Sequence, residues 1–321
     1  MAIKTKFELK AGPATREAFG RALVELGREN RDVVVCDADL SKSTMTTYFA
    51  KEFPDRFISC GIAEANMVAI GAGLAYAGKI PFVSSFSAFL INKKFEQLRI
   101  TVAYPGVNLK AVGTHSGISI GEDGPSQMSV EETALACSLP GFVVLSPADE
   151  ASTKALVRQA AAHVGPVFIR TGRIKAPIVY TGGQKFEIGK AVEVIEGKDV
   201  CVMANGLLLA EAIKTAEALD AEGISVRVLD MHTVKPLDQE AVRRAAVETG
   251  AIVVAEEHLI DGGLGVRVAQ SVAEQAPVPM GFVGIRDTYA ESGQPDELLD
   301  KYGLVARDVI AAVRKVLARK K

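Results

Sequence analysis

The chain has 321 residues, 48% of them hydrophobic and 24% charged, with a formal net charge of −2. That length allows about two domains of ordinary size, and the near-balanced charge offers no basic face to nucleic acid or an anionic membrane. No apolar run reaches the roughly 20 residues of a membrane span, the N-terminal MAIKTKFELK is too polar for a signal peptide, and a cytoplasmic protein is expected.

In chain order, Ala18, Ala22 and Leu26 with Phe19 and Leu23 mark the apolar stripe of a first helix, which Arg16 opens. Val33 to Asp37 reads as a buried strand, followed by Asp39-Leu40-Ser41-Lys42-Ser43-Thr44, a run rich in groups that bind oxygen ligands. A strand at 56–59 leads into Gly61-Ile62-Ala63-Glu64-Ala65-Asn66-Met67 and an alanine-rich helix over 65–77. Strands are predicted at 81–85, 109–113, 142–145 and 166–170, and helices at 87–104, 130–137 and 151–163. Apolar strands alternating with helices imply mostly parallel sheets covered on both faces. The Pro/Gly-containing stretch 173–187 marks a boundary, giving domains at 1–180 and 181–321. A second series follows, with strands near 200–204, 225–229, 251–255 and 280–283 and a closing helix over 307–318. The fold class is therefore α/β, as two consecutive three-layer domains. The basic end, Arg314 to Lys321, reads as a solvated last helical turn. Cys36, Cys60, Cys137 and Cys201 lie far apart in apolar runs, as reduced core residues do, and form no zinc pattern.

Several pieces carry chemistry. Glu64 begins a helix, where the dipole alone accounts for a carboxylate; its apolar neighbours also suit a dry cleft, in which desolvation favours proton sharing. The loop from Thr114-His115 to Gln127 follows a strand, the place where α/β sheets keep their ligand groups. It is neither a Walker loop nor a dinucleotide fingerprint, and an ordinary surface turn would not concentrate His115, Glu122 and Asp123. Phe86, Phe89 and Phe95 have helical spacing, which core packing explains. Arg16, Arg170, Arg173 and the serines after Asp39 are solvated charges and caps, or else forked donors for an anionic ligand.

Taken together these strings resemble transketolase through nearly the whole chain. The resemblance rests on Pro13-Ala14-Thr15-Arg16, Asp39 to Thr44, the Glu64 string, Phe86-Ser87-Ala88-Phe89, and Ile169-Arg170-Thr171-Gly172-Arg173. Gly121-Glu122-Asp123-Gly124-Pro125-Ser126-Gln127 is the most specific of them, and Val228-Leu229-Asp230, Lys235 to Asp238 and Glu256-Glu257-His258 to Gly263 extend the match. The resemblance implies a pyrimidine-binding domain and a C-terminal domain working with thiamine diphosphate. Glu64 would hydrogen-bond N1′ of the aminopyrimidine and share its proton. Phe86 and Phe89 would wall the ring, with Gln127 beside its amino group. His115 and Asp123 would hold substrate hydroxyls, and Arg16, Ser43 and Arg173 the sugar phosphate; Asp39 is expected to be structural. The reaction implied moves a two-carbon ketol unit from a ketose phosphate to an aldose phosphate.

Two departures stand out. Asn92 occupies a position where some family members carry an aromatic or basic residue, and no Gly-Asp-Gly motif with a following Asn occurs. The family uses that motif to hold Mg²⁺ (or Ca²⁺) and the diphosphate, so no metal ligand is expected in this chain. With Met1 just ahead of the first helix, the expectation is a natural split enzyme, inactive alone. A separate N-terminal, diphosphate-binding subunit would supply the rest in an α2β2 assembly. The face around Glu64, Phe86 and Gln127 would be an interface, and the second domain, assigned no chemistry, would serve dimer packing. Three other readings stay open: the β-subunit of a 2-oxoacid dehydrogenase, a deoxyxylulose-phosphate synthase, and a non-catalytic assembly protein on the same fold.

Overall fold

The β-branched runs of the sequence become strands buried on both faces, and the stripes between them become covering helices. The structure, a computed structural model, describes residues 7–320; residues 1–6 of the polar N-terminus and Lys321 of the basic end lie outside the described residues. Strands β1 to β8 are Ala11–Ala14, Val33–Asp37, Phe57–Ser59, Ile80–Phe86, Lys110–Thr114, Val143–Leu145, Val167–Arg170 and Lys175–Pro177. Strands β9 to β14 are Val192–Ile195, Val200–Ala204, Val226–Asp230, Thr233–Lys235, Ile252–Leu259 and Met280–Ile285. The first large sheet has the order β12-β6-β7-β5-β4-β2-β3, the second β14-β13-β10-β11-β9, and β1 pairs with β8. Within the first sheet β2 to β7 run parallel.

Alternate residues of each strand supply opposite layers. On one face Phe19 and Leu23 of helix Thr15–Glu29 and Leu156 and Val157 of helix Glu150–Ala162 pack on Val33, Val35 and Val112. On the other, Met67, Leu98 and Val102 pack on Cys36, Val83 and Ala111, in an apolar cluster that continues into the second sheet through Met203, Leu229 and Val254. The second sheet's far face is covered by Ile213 of helix Leu208–Asp220 and Val313 of helix Ala306–Leu317. Both parts are thus α/β layers. All four cysteines are free. Among the described residues no helix is long and apolar enough to cross a membrane.

Three features depart from the sequence reading. The continuous helix expected over 87–104 is instead two widened π-type turns, Ala88–Asn92 and Leu98–Ala103, around a short α turn at Phe95–Gln97; such turns cluster at functional sites. The boundary stretch 173–187 contains a strand, β8. And β12, from the second half of the chain, joins the first sheet antiparallel to β6, with Thr233 opposite Leu145.

Polar groups stitch the same seam. Asp149 caps helix Glu150–Ala162 in a capping box with Ser152 and accepts from the amides of Val179 and Tyr180. The Tyr180 hydroxyl donates to Asp230 Oδ2 at 2.7 Å. Burial lifts the Asp230 carboxyl to about 7, against the Tyr180 hydrogen bond and with help from Asp149. An acid raised in the folded state supports folding while protonated, and that support is lost as pH rises through its folded pKa. Asp230→Asn, which keeps an acceptor for Tyr180, is therefore expected to match the parent near pH 4 and to be more stable by about 1–3 kcal/mol at pH 8. Melting curves at several pH values read this; a gap that does not widen with pH contradicts it.

Candidate active site

The side chains singled out in the sequence lie on segments that leave one end of the first sheet. Asp39 to Thr44 follow β2, Glu64 follows β3, Phe86 ends β4 with Phe89 beyond it, His115 to Gln127 follow β5, and Arg173 follows β7. These are the carboxyl ends of parallel strands, where a doubly wound sheet opens a crevice. Arg16 reaches the same end from the start of the first helix, and its Nη1 lies 3.2 Å from His115 Nε2.

The His115–Arg16 contact fixes a tautomer. A guanidinium only donates, so Nε2 accepts and the proton sits on Nδ1, 2.9 Å from Thr114 Oγ1, which lies 3.4 Å from the Ser85 carbonyl. Burial, with Arg16 and Arg173 adding repulsion, lowers the His115 pKa to about 3. The imidazole is neutral at any working pH, an acceptor rather than a cation. Its backbone is left-handed, φ 56, in a region that histidine enters more often than most residues. The His115 and Phe89 rings both stack on Phe86, at centroid distances of 3.8 and 5.4 Å. Phe86 is 7% exposed, Phe89 is half-buried, and the Lys93 ammonium stands 4.6 Å over the Phe89 ring.

Arg16 and Arg173 are the cationic pair of the crevice. Arg16 Nη1 donates to the Ser43 carbonyl at 2.6 Å, so Ser43 meets it through backbone rather than hydroxyl. Arg16 Nε is buried without a hydrogen-bond partner, and burial with repulsion from Arg173 lowers the Arg16 pKa. Arg173 donates to the Ile120 carbonyl and to Glu122 Oε2. An orphaned buried donor beside a second guanidinium suits an anion such as a phosphate, and the stacked rings suit a flat heterocycle; the residues present fit a thiamine-type cofactor and a phosphorylated substrate.

The remaining candidates are half-buried or exposed. Glu64 is half-buried at the start of helix Glu64–Tyr76 and has no hydrogen-bond or ion-pair partner among the described residues. The cleft around it is not closed within this chain, because the helix buries only one side, with Met67, Val68, Gly71 and Ala72. Ile62 beside it is 83% exposed, Tyr76 at the far end of the same helix is 70% exposed, and Ile100 and Tyr104, on and just after the adjoining π-type turn, are 50% and 88% exposed. Asp123 is exposed, and Gln127 is half-buried, with Oε1 accepting from Ser126 Oγ. Asp39 is exposed on left-handed backbone. The structural carboxylate is Asp37, which accepts from the Leu40 amide, Thr44 Oγ1 and Thr46 Oγ1 and so shapes the Ser43 turn. Asn92 Oδ1 lies 2.8 Å from Ser129 Oγ and belongs to a polar network.

That network was not legible in the sequence. Arg170, 6% exposed, donates from Nε to Glu132 at 2.6 Å and from Nη2 to the carbonyl and carboxylate of Glu257 on β13, at 2.7 and 3.3 Å. Burial opposes the Arg170 charge, and the two carboxylates outweigh it, leaving the guanidinium more firmly protonated than usual. The string Glu256-Glu257-His258 divides its labour. Glu256 accepts from the amides that open helix Leu264–Gln275, Glu257 reaches the first domain, and His258 Nε2 accepts from the Ala134 amide.

Comparison with known proteins agrees with this geometry. Residues 11–178 match the family model of the transketolase pyrimidine-binding domain, and residues 189–309 that of the transketolase C-terminal domain. The chain is 41% identical to a 6-deoxy-6-sulfo-D-fructose transketolase subunit, SqwH, of Clostridium sp. (strain MSTE9), over 95% of each. It is also 41% identical to a putative transketolase C-terminal section of Methanocaldococcus jannaschii, over 94% of this chain and 96% of that one. Human transketolase is 40% identical, and the match covers 95% of this chain but 49% of the human protein. A solved structure described as a split gene transketolase, inactive beta4 tetramer, superposes with a TM-score of 0.91 at 48% identity, over 97% of this chain and all 100% of that one. The chain belongs to the transketolase family, of which it carries the pyrimidine-binding and C-terminal domains.

Proposed function

We propose that this chain is the C-terminal-type subunit of a two-chain transketolase, active with a separate diphosphate-binding subunit. The observation that carries the reading is the crevice itself. The Arg16–His115 pair with its orphaned Arg16 Nε, the Phe86–Phe89 wall and the unpartnered Glu64 all lie at one end of one sheet. Thiamine diphosphate, when bound, supplies the carbanion stabilisation that lets a ketol unit leave a ketose and join an aldose. The side chains of this subunit would do the rest. Glu64 holds and shares a proton at the pyrimidine, Phe86 and Phe89 exclude water beside the ring, and Gln127 orients its amino group. His115 Nε2, which accepts from Arg16 here, would accept from a substrate hydroxyl when that guanidinium turns to the anion, with Asp123 as a second acceptor, while Arg16, the Ser43 turn and Arg173 take the terminal anion.

The partner subunit would hold the diphosphate and its Mg²⁺ or Ca²⁺, since no Gly-Asp-Gly motif is present here. The exposed apolar residues of the Glu64 helix, its approach and the adjoining π-type turn, namely Ile62, Tyr76, Ile100 and Tyr104, are the surface on which it would sit, and two copies of each chain would make the assembly. Relatives named as a transketolase subunit and as a transketolase section support the split, and the tetramer described as inactive supports the need for a partner. The terminal anion is a phosphate or, as the name of the sulfofructose relative suggests, a sulfonate; both match a guanidinium pair.

The test is reconstitution. This chain, a diphosphate-binding transketolase subunit, thiamine diphosphate and Mg²⁺ should together transfer ketol units from xylulose 5-phosphate or 6-deoxy-6-sulfofructose, and neither subunit alone should. Decarboxylation of pyruvate without sugar transfer would point to the 2-oxoacid dehydrogenase reading. Sustained turnover by the isolated chain would refute the need for a partner.

A further inference from the structure

The loop from Ser116 to Gln127 is rich in glycine and is held from both domains. Gly117, Gly121 and Gly124 all have φ near +80, and glycine loses more conformational freedom on ordering than any other residue. Arg173 of the first domain holds the Ile120 carbonyl and Glu122, and further fixed points come from the second domain. Glu257, 2% exposed, accepts from the Ser119 amide at 2.8 Å. Gly117 lies against the same carboxylate so closely that a Cβ there would stand 2.2 Å from Glu257 Cδ. On the other side a Cβ at Gly124 would meet Ser292 Oγ at 2.3 Å, and Gly121 faces Pro295.

We propose that Glu257 is a positioning residue: its carboxylate pins the Ser119 amide and thereby sets the register of His115 and Asp123 against Arg16 and Arg173. The second domain then has a task at the site, as the template on which the substrate loop is cast. The inference rests on the transketolase reading for its kinetic consequence, but the pinning itself does not.

Two variants separate acceptor from charge. Glu257→Gln keeps an oxygen for the Ser119 amide; Glu257→Leu removes it. In the full chain, hydrogen exchange of the amides from Ile118 to Gln127 is expected to quicken about tenfold in E257L, the worth of one buried hydrogen bond. E257Q should stay near the parent, and β6 should not change in either. In the reconstituted complex E257L should raise KM for xylulose 5-phosphate about tenfold with kcat changed far less, and E257Q should restore it. A role confined to stability would lower the melting temperature of E257L without moving loop exchange or KM, and that result overturns the proposal. If E257L does not fold, the same comparison is made in a background of Arg170→Met and Glu132→Gln, where no buried charge is stranded; equal loop exchange in the Leu and Gln versions overturns the proposal there too. An inactive parent complex would refute the transketolase reading, while the exchange result would still decide the pinning.

Discussion

Replacing Glu64 with glutamine in the two-subunit complex is expected to cut ketol transfer by about 10²–10⁴-fold, the range for losing a positioned proton donor or acceptor, while assembly persists. Glutamine matches the length and hydrogen-bonding reach of the carboxylate but cannot give up or take a proton. Glu64 makes no hydrogen bond or ion pair among the described residues and opens its helix from a half-buried position, so the substitution breaks no contact that the fold uses. Folding and assembly are checked by melting and sedimentation, and transfer from xylulose 5-phosphate by a coupled assay. A variant that assembles and keeps its rate within about tenfold would remove Glu64 from the chemistry and favour a non-catalytic role for the chain.

The largest stability loss is expected at Arg170. Its side chain is 7% exposed, and those of its partners Glu132 and Glu257 are 0% and 1% exposed. Arg170→Met would strand two carboxylates in a dry interface, at a cost of roughly 3–5 kcal/mol. Neutralising all three positions, as Arg170→Met with Glu132→Gln and Glu257→Gln, should recover at least half of that, because the penalty lies in the unpaired charge rather than in the missing attraction. Urea unfolding followed by circular dichroism reads both. A single variant within about 1 kcal/mol of the parent would mean that water reaches the cluster and that the two domains are not locked through it.

Much of this was open to a reader of the sequence, and the boundary of legibility has a physical cause. Val33 to Asp37 and the stripe from Ala18 to Leu26 announce themselves because buried parallel strands and amphipathic helices write local periodic patterns. The site strings were visible as runs because each occupies the segment after one strand. What escaped is what depends on distance. Glu257 is 138 residues from the amide it holds, and nothing near it in sequence marks the contact. Asp37 and Asp39 look alike on paper; only the left-handed backbone at Asp39 turns one outward while Thr44 and Thr46 claim the other. The π-type turns over 88–103 share their apolar composition with an ordinary helix, and composition does not set the width of a turn. The half-open setting of Glu64 is not legible because its apolar sequence neighbours, Ile62 above all, are themselves exposed.

Strand β12 bears on how this protein can be taken apart. A gene cut near codon 180 looks natural on paper, yet the product would have β6 as a bare sheet border, since Thr233 to Lys235 cover it from the other half. Uncovered apolar borders recruit strands from neighbouring molecules. The smallest excisable module that keeps the first sheet's margin covered therefore runs at least through Lys235, and the two halves are better handled as one inheritable and engineerable unit than as beads on a string.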